Sequence, residues 1–283
     1  MDQFSVVIPA KNEEATIGET IKGIFEFFPF SEVIVVNDGS ADSTESVAKK
    51  ANAKVISHPY SKGNGAAIKT GARAATREII VFMDADGQHN PKDIYSLIDK
   101  ISEGYDLVVG ARSRSGQASI GRSVANRFYN KLASFMTGHK VCDLTSGFRA
   151  VKRKKFIEFL YLLPNGFSYP TTSTMAFFRA GYSVAYVQIN VNRREGKSHI
   201  HPLKDGVRFL LIIFKIGTLY SPLKIFVPLS FSVFFVGLSY YGYTYFLFGR
   251  FTNMSALMFT TSLIIFMVGL VSEQITSLMY RDK

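Results

Sequence analysis

The chain has 283 residues, of which 47% are hydrophobic, and a formal net charge of +11 at pH 7. This length allows one large domain with an appendage, and a mean hydropathy of +0.12 is typical of a chain with membrane segments. The basic excess favours an anionic partner, for which nucleic acid, an anionic membrane surface and a phosphorylated substrate are candidates. The single cysteine, Cys142, excludes an internal disulfide and a zinc site built from several cysteines.

Short apolar strands alternate with helices over the first 110 residues or so. Strands are predicted at 4–9, 33–36, 54–56, 78–83 and 107–109. Asn12 is predicted to cap the first helix, because apolar residues with helical spacing follow it from Ile17 to Phe28. This β-α-β order predicts an α/β fold with a mostly parallel sheet covered by helices on both faces. The chain opens directly into a strand, so we expect no signal peptide and a cytosolic first domain.

The composition changes near residue 200. Basic and apolar residues interleave over 201–224, which predicts an amphipathic segment at a membrane surface. Residues 225–248 contain no charge, and residues 257–279 contain only Glu273, so each stretch has about the 20 residues that cross a bilayer. Two buried core helices are the alternative. We therefore expect three parts: a catalytic domain at 1–200, the amphipathic segment at 201–224 and a two-span hairpin at 225–283.

Basic residues flank the predicted hairpin unequally. Lys215 and Lys224 precede it and Arg281 and Lys283 follow it, whereas the loop between the spans has only Arg250. The positive-inside rule then predicts a multi-pass protein of the cytoplasmic membrane, with the catalytic domain and both termini in the cytosol.

Two carboxylates, Asp84 and Asp86, follow the apolar strand that ends near Met83. Ligands of open α/β sheets bind at the carboxyl ends of the strands. Two acids at this place repel each other unless a cation joins them, and a hard divalent ion that binds substrate phosphates fits such oxygen ligands. A solvated acidic turn is the alternative for an isolated Asp-x-Asp.

Other polar motifs follow the other predicted strands. Residues 8–13 (Ile-Pro-Ala-Lys-Asn-Glu) end the first strand and residues 37–40 (Asn-Asp-Gly-Ser) end the second. Lys62 and Gly63 open a glycine-containing stretch that leads into a helix, where backbone N–H groups and a lysine could approach a phosphate. This stretch is not a Walker A loop, because no Gly-Lys-Ser/Thr follows.

These motifs, in this order, resemble the family 2 glycosyltransferases with the GT-A fold. The resemblance extends through residues 109–112 (Val-Gly-Ala-Arg) and 145–150 (Thr-Ser-Gly-Phe-Arg-Ala), and there the chain is similar to the branch that acts on polyprenyl phosphates. That branch includes dolichol-phosphate mannose synthases and bacterial undecaprenyl-phosphate glycosyltransferases. Residues 193–198 resemble its acceptor loop, and the closing hairpin resembles the tail of its bacterial members.

The resemblance implies a role for each matching residue. Asp84, Asp86, Arg112 and Asp143 are the candidate catalytic residues. The donor would be a UDP- or GDP-linked sugar, bound by Pro9, Ala10, Asn12, Glu13, Asp38, Lys62, Gly63 and Asp84. Mg²⁺ or Mn²⁺ would be held by Asp86, Gln88 and Asp84. The acceptor phosphate would be bound by Arg112, Arg127, Ser146, Arg149, Arg194, Lys197 and Ser198.

The implied reaction is an inverting, single-displacement transfer of one sugar to a polyprenyl phosphate. A phosphate monoester is largely dianionic at pH 7, so it needs positioning more than deprotonation. We therefore expect no essential general base, with Asp143 as the alternative for that role.

Two other functions are alternatives to this one. A processive polysaccharide synthase would need a Gln-x-x-Arg-Trp motif, and the chain has no Trp. A non-catalytic nucleotide- or lipid-binding membrane protein remains a second alternative. No nucleic-acid partner is expected, because the basic residues do not line one recognition helix. A homo-oligomer formed through the membrane helices is an open expectation.

Overall fold

The computed structural model describes residues 4–112, 120–166, 168–191, 214 and 217–279. The chain divides into two compact units, Met1–His199 and Ile200–Lys283. The first unit holds the sheet and its helices, and the second holds two long apolar helices.

The first unit is built on a seven-stranded sheet with the order β3-β2-β1-β4-β6-β5-β7. The strands are β1 (Phe4–Ala10), β2 (Glu32–Asn37), β3 (Lys54–Ser57), β4 (Ile79–Phe82), β5 (Leu107–Arg112), β6 (Arg149–Lys152) and β7 (Val184–Ile189). All neighbouring pairs are parallel except those of β6, which runs antiparallel to both β4 and β5. The predicted α/β class with a mostly parallel sheet is confirmed.

The helices of this unit lie between the strands in the chain. They are α1 (Ile17–Phe27), α2 (Thr44–Lys50), α3 (Asn64–Ala74), α4 (Asp93–Ser102), α5 (Ile120–Thr137), α6 (Arg153–Ile157) and α7 (Tyr169–Arg179). The amphipathic helix α4 buries Ile94, Leu97, Ile98 and Ile101. Strands β1 and β2 are buried almost throughout, as expected for Val- and Ile-rich strands with helices on both faces.

The predicted N-cap of α1 is wrong. The helix begins at Ile17, and its N-cap position is Thr16. Asn12 instead adopts a left-handed backbone conformation with φ of 56°. Asparagine tolerates this conformation in a turn, and the chain uses the four residues after Asn12 to reach the helix.

The second unit contains α8 (Pro222–Phe248) and α9 (Asn253–Met279), each long and apolar enough to cross a bilayer. Both extend a few residues beyond the spans predicted at 225–248 and 257–279. Most of the predicted amphipathic segment 201–224 lies outside the described residues, so the three-part division stays a prediction.

Helices α8 and α9 pack through small and hydroxylated residues that repeat every seven positions. The buried positions with this spacing are Ser230, Gly237 and Thr244 in α8 and Ser255, Ser262, Gly269 and Thr276 in α9. The hydroxyl groups of Ser230 and Ser262 each donate to the other residue's carbonyl, at 2.8 and 2.9 Å. Small side chains let two apolar helices approach closely where lipid gives no hydrophobic drive to associate.

Candidate active site

The polar loops after β1, β2 and β4 meet at one edge of the sheet. Strand β1 lies between β2 and β4, so the chain turns in opposite directions on its two sides. Open α/β sheets bind ligands in the crevice outside such a switch point. The topology therefore brings the motifs at 9–13, 37–40 and 84–88 to one crevice.

Hydrogen bonds join the loop after β1 to the loop after β2. The backbone N–H of Asn12 donates to the Ser40 hydroxyl at 3.0 Å, and the Asn12 side-chain carbonyl accepts from Ala41 N at 2.9 Å. Glu13 N donates to Thr44 Oγ1 at 2.8 Å. The predicted donor-binding segment is thus fixed by its neighbour, with Pro9 and Ala10 held in β1 opposite Val36 and Asn37.

A second connection reaches the loop after β4. The Thr16 hydroxyl donates to the carbonyl of Ala85 at 2.8 Å, between the two aspartates of the Asp-x-Asp motif. The backbone of the donor segment and that of the acidic motif are therefore held together before any ligand binds.

Asp38 is buried and accepts four hydrogen bonds. Its Oδ1 contacts His58 Nδ1 at 2.7 Å and accepts from Lys62 N at 2.8 Å. Its Oδ2 accepts from the Ser61 hydroxyl at 2.8 Å and from Gly63 N at 2.9 Å. Burial alone would raise the pKa of Asp38, but these hydrogen bonds outweigh it and lower the pKa to about 2. Asp38 therefore stays ionised and organises the loop that contains Lys62 and Gly63.

The N-terminus of α3 differs from the phosphate cradle that the sequence predicts. Gly65 N donates to the carbonyl of Gly166 at 3.1 Å, and Ala66 N donates to the carbonyl of Asn165 at 2.9 Å. A Cβ at Gly63 would lie 2.6 Å from the carbonyl oxygen of Asn165. The glycines thus make room for a second segment of the chain, and that segment occupies the N–H groups that a phosphate would need.

In the acidic motif, every second residue from 84 to 88 has a half-buried polar side chain. Asp84, Asp86 and Gln88 are half-buried, whereas Ala85 and His89 are buried. Gln88 N donates to Asp86 Oδ1 at 3.2 Å. Among the described residues no group of three or more His, Cys, Asp or Glu side chains is arranged as a metal site. Two carboxylates and an amide oxygen nevertheless fit a hard divalent ion that completes its coordination with phosphate oxygens and water.

Asp84 lies directly against Gly147 of the Ser-Gly-Phe-Arg segment. A Cβ at Gly147 would lie 2.9 Å from Asp84 Oδ2, so only glycine fits without moving the carboxylate. The Tyr169 hydroxyl donates to the Gly147 carbonyl at 3.0 Å. The His89 ring stacks on Phe148 with centroids 4.8 Å apart, and His89 Nε2 lies 3.6 Å from Asp84 Oδ2. The acidic motif and the predicted acceptor motif are therefore one packed cluster.

Arg112 and Asp143 form a partly buried ion pair. Arg112 Nε donates to Asp143 Oδ2 at 2.8 Å, and Nη2 donates to Oδ1 at 3.0 Å and to the Thr145 hydroxyl at 2.6 Å. Burial opposes charge on both groups, yet their contact raises the pKa of Arg112 and lowers that of Asp143. Asp84 also interacts favourably with the Arg112 charge. Asp143 is therefore an ionised anchor for a guanidinium that faces the acidic motif.

Arg149 does not lie where a surface phosphate contact would need it, which corrects the sequence prediction. Its side chain is fully buried, and its guanidinium donates to the carbonyls of Ser146 and Pro170 and to the hydroxyls of Ser173 and Thr174. Burial among these neutral partners lowers the pKa of Arg149. The residue fastens the turn at 146–149 to the start of α7, which is a positioning role.

The remaining predicted acceptor residues are dispersed. Ser146 is buried, and its hydroxyl makes no hydrogen bond within the described part of the chain. Arg127 is exposed on α5. Arg194, Lys197 and Ser198 lie outside the described residues.

Two contributors escaped the sequence analysis. His58 contacts Asp38 and the Thr70 hydroxyl, 2.9 Å from Nε2, and so joins β3 to α3. Its place just after β3, at the same sheet edge as the other motifs, could have identified it from the sequence. Tyr169, which holds Gly147, gives no such signal because it comes 22 residues later in the chain and meets the site only through folding.

Residues 5–160, more than half of the chain, match the domain described as glycosyl transferase family 2. The chain belongs to glycosyl transferase family 2. Residues 221–278 match a second domain, described as the GtrB C-terminal hairpin, which coincides with α8 and α9. The resemblance drawn from the motifs is thereby confirmed.

Several curated proteins are similar to this chain. A dolichyl-phosphate hexose transferase of Haloferax volcanii is 30% identical over 72% of this chain and 90% of its own length. A polyprenol monophosphomannose synthase of Mycolicibacterium smegmatis is 29% identical over 67% of this chain and 77% of its own length. A protein of Methanocaldococcus jannaschii with no assigned activity is 37% identical over 53% of this chain, which covers 64% of that protein.

A solved structure supports the fold of the first unit. Glucosyl-3-phosphoglycerate synthase of Mycobacterium tuberculosis, in complex with Mn²⁺, UDP-glucose and phosphoglyceric acid, matches with a TM-score of 0.61 and 26% identity. The match covers 76% of this chain and 78% of that enzyme. The same enzyme was also solved with Mg²⁺ and UDP.

Proposed function

We propose that this protein is a membrane-anchored glycosyltransferase that moves one sugar from a UDP- or GDP-sugar to a polyprenyl phosphate. The observation that carries the proposal is the way in which the Arg112 guanidinium is held beside the acidic motif. Asp143 and Thr145 hold it through Nε and Nη2, Nη1 makes no hydrogen bond within the described part of the chain, and Asp84 of the acidic motif interacts with its charge. A cation held in this way suits the grip on an acceptor phosphate beside a donor site.

The donor would occupy the crevice at the ends of β1, β2 and β4. The backbone at 9–13 and the loop that Asp38 organises would contact the nucleoside, and Lys62 would lie nearby. Asp84, Asp86 and Gln88 would hold Mg²⁺ or Mn²⁺, which when bound supplies positive charge to the departing diphosphate. The complexes of the mycobacterial synthase with Mn²⁺ and UDP-glucose and with Mg²⁺ and UDP support the use of a divalent ion and a nucleotide-sugar.

In this proposal a phosphate oxygen of the acceptor is the nucleophile that attacks the sugar. Its second pKa is about 6, so a dianion with an available oxygen is present at neutral pH. Asp143 is ill-suited to be a base, because both of its oxygens accept hydrogen bonds from Arg112 and its pKa is lowered. Direct attack by the phosphate on the sugar, with one displacement and inversion, needs only alignment and charge screening.

The remaining acceptor contacts belong to the same proposal. Arg112 and Ser146 would meet the phosphate from the cluster around Gly147, and Arg127 from α5. Arg194, Lys197 and Ser198, which lie outside the described residues, are proposed to contact the acceptor phosphate as well. Arg149 is proposed to act only through the turn that it fastens.

A lipid acceptor explains why the enzyme would be anchored by the hairpin. A polyprenyl chain stays in the bilayer, so an enzyme anchored by α8 and α9 meets its acceptor by diffusion in two dimensions. The basic residues on both sides of the hairpin favour a cytosolic catalytic unit in the cytoplasmic membrane. The relatives named for dolichyl-phosphate and polyprenol substrates support this choice of acceptor.

The test is a transfer assay with the full-length protein in lipid nanodiscs. Polyprenyl phosphate is offered with a panel of UDP- and GDP-sugars, with Mg²⁺, Mn²⁺ or a chelator. We expect a lipid-extractable labelled sugar that requires the metal and disappears in Asp86→Ala. Asp99→Ala, which removes an exposed carboxylate of α4, is the matched control and should keep full activity. No lipid product with any donor, from folded protein that binds nucleotide, would contradict the proposal.

A further inference from the structure

Helix α5 (Ile120–Thr137) presents an unusual outer face. Phe128 and Phe135 are each 58% exposed, and Arg127 and Lys131 are exposed beside them. At about 100° per residue, these four positions fall within an arc of about 100°. The opposite side of the helix is buried through Tyr129, Ala133 and Met136. Two cations and, next to them, two large apolar side chains thus share the solvent-facing surface, which we call the α5 face.

The α5 face lies in a basic part of the chain. Between Leu107 and Cys142 there are six Arg or Lys residues and no Asp or Glu. A solvated helix surface normally mixes both signs of charge, and a run of this kind creates a local positive potential. Its complement is an anionic surface.

The combination of charge and aromatic rings selects the kind of surface. A helix with basic residues and Phe on one side binds at the boundary between headgroups and acyl chains. The cations stay among lipid phosphates while the rings enter the apolar layer, and each basic residue near an anionic leaflet strengthens binding about fivefold. The same chain has two helices able to cross a bilayer, so such a surface is available to it.

We propose that the α5 face docks on anionic phospholipid and forms a second membrane attachment of the catalytic unit, separate from the hairpin. The inference rests on the membrane anchoring in the proposed function but not on sugar transfer. Helix α5 follows β5, which ends at Arg112, and precedes Asp143. Docking there would hold the Arg112–Asp143 pair at the level of lipid phosphates.

The test measures the surroundings of single fluorescent labels on the full-length chain in nanodiscs. Labels are attached to cysteine at Phe128→Cys or Phe135→Cys in a Cys142→Ser background. Tyr95→Cys on α4, where the native side chain is 43% exposed, is the matched control. Bromine on the lipid acyl chains quenches a label in the bilayer, whereas iodide quenches a label in water. No turnover is needed, so an inactive protein would still report docking.

We expect labels at 128 and 135 to be quenched by brominated lipid in discs with phosphatidylglycerol, with blue-shifted emission. The label at 95 should respond to iodide only. With Lys131→Glu added, iodide should quench the label at 128 more strongly, while the helix content stays the same. The same increase in iodide quenching is expected in discs of phosphatidylcholine alone. Iodide quenching at all three sites would overturn the proposal. Protection of 128 and 135 from both quenchers would overturn it too, because a protein segment would then cover the face.

Discussion

Three aspartates near the sheet edge differ in their surroundings, and this separates their roles. Asp38 and Asp143 are buried and saturated with hydrogen bonds, which lower the pKa of each. Asp84 has a side chain that is 38% exposed, and it faces Arg112 and Gly147. Only a carboxylate with accessible oxygens is suited to bind a metal ion. We therefore propose that Asp38 and Asp143 position neighbouring groups and that Asp84 contacts the ligand.

Asp143→Asn tests whether Asp143 anchors Arg112 or acts as a base. The amide is nearly isosteric but loses the charge that holds the guanidinium. We expect kcat/KM for the lipid acceptor to fall on the order of 10- to 100-fold, as for other residues that orient a ligand-binding group. The KM for the nucleotide-sugar should change little. The pH dependence of kcat should keep its shape, because no titrating base has been removed.

The readout that separates the two roles is this pH profile together with residual turnover. Near-total loss of kcat with normal donor binding, or loss of an acidic limb of the profile, would contradict the anchoring role. Thr145→Val, which removes only the hydroxyl contact to Arg112, is a milder control and should shift the acceptor KM in the same direction.

Gly147→Ala tests the packing of Asp84. The added methyl group would lie 2.9 Å from Asp84 Oδ2 and would push the carboxylate away. A displacement of about 1 Å at a reacting site costs on the order of 100-fold in rate. We expect a loss of that size in transfer, together with weaker binding of Mn²⁺ measured by calorimetry.

Gly166→Ala is the matched control for this substitution. A Cβ there would meet nothing within 4 Å, so metal binding and transfer should stay at the wild-type level. Wild-type metal affinity in Gly147→Ala would show that Asp84 is not held by this contact.

Among the strands and helices, those that depend on a local pattern of apolar residues could be predicted from the sequence. The continuous apolar runs of β1, β2 and β4 and the nearly uncharged helices of the hairpin were located from composition and periodicity alone. Strand β6 was missed as a strand: it has only four residues, and its place between β4 and β5 depends on antiparallel partners distant in the chain. The contacts at the N-terminus of α3 and the burial of Arg149 were not predicted for the same reason, since they depend on residues 164–166 and 170–174, which only folding brings near.

The hairpin offers a test of its seven-residue repeat. A Cβ at Gly269 would lie 2.6 Å from the Cβ of Phe226, so Gly269→Val should force α8 and α9 apart. Overpacking of this kind costs about 1–3 kcal/mol. We expect a lower midpoint of thermal unfolding in detergent and weaker cross-linking between cysteines placed at Ser230 and Ser262.

Gly242→Val in α8 controls for the helix propensity and bulk of valine. No atom lies within 4 Å of a Cβ built at Gly242, so the hairpin should stay as stable as in the wild type. Equal destabilisation by both substitutions would contradict packing through the repeat.

At the scale of the whole molecule, the catalytic unit is expected to lose stability in acid. Asp38 and Asp106 both have a pKa lowered from 3.8 to about 2 in the folded state. Burial opposes this shift at each site. At Asp38 the hydrogen bonds, of which that with His58 is the strongest, outweigh the effect of burial. At Asp106 the hydrogen bonds from Lys152 and Lys155 outweigh it. A depressed pKa favours the folded state above the unfolded value, and this contribution disappears as pH falls toward the folded value.

Chemical denaturation as a function of pH measures this dependence. The free energy of unfolding should be nearly constant from about pH 5 to 7 and should fall between about pH 4 and 2. Asp106→Asn should flatten the slope without affecting nucleotide binding, because Asp106 lies at the opposite end of β5 from Arg112. An unchanged slope in this variant would contradict the assignment.

In the proposed reaction the acceptor's own phosphate is the nucleophile, positioned by Arg112 without a protein base. The most direct measurement offers the full-length enzyme, in the same nanodiscs, polyprenyl phosphate or the corresponding polyprenol with its best nucleotide-sugar. We predict a sugar-lipid product from the phosphate alone, with loss of that product in Arg112→Ala. Transfer to the alcohol at a comparable rate would contradict this mechanism, because a hydroxyl nucleophile needs a general base and the proposed reaction has none.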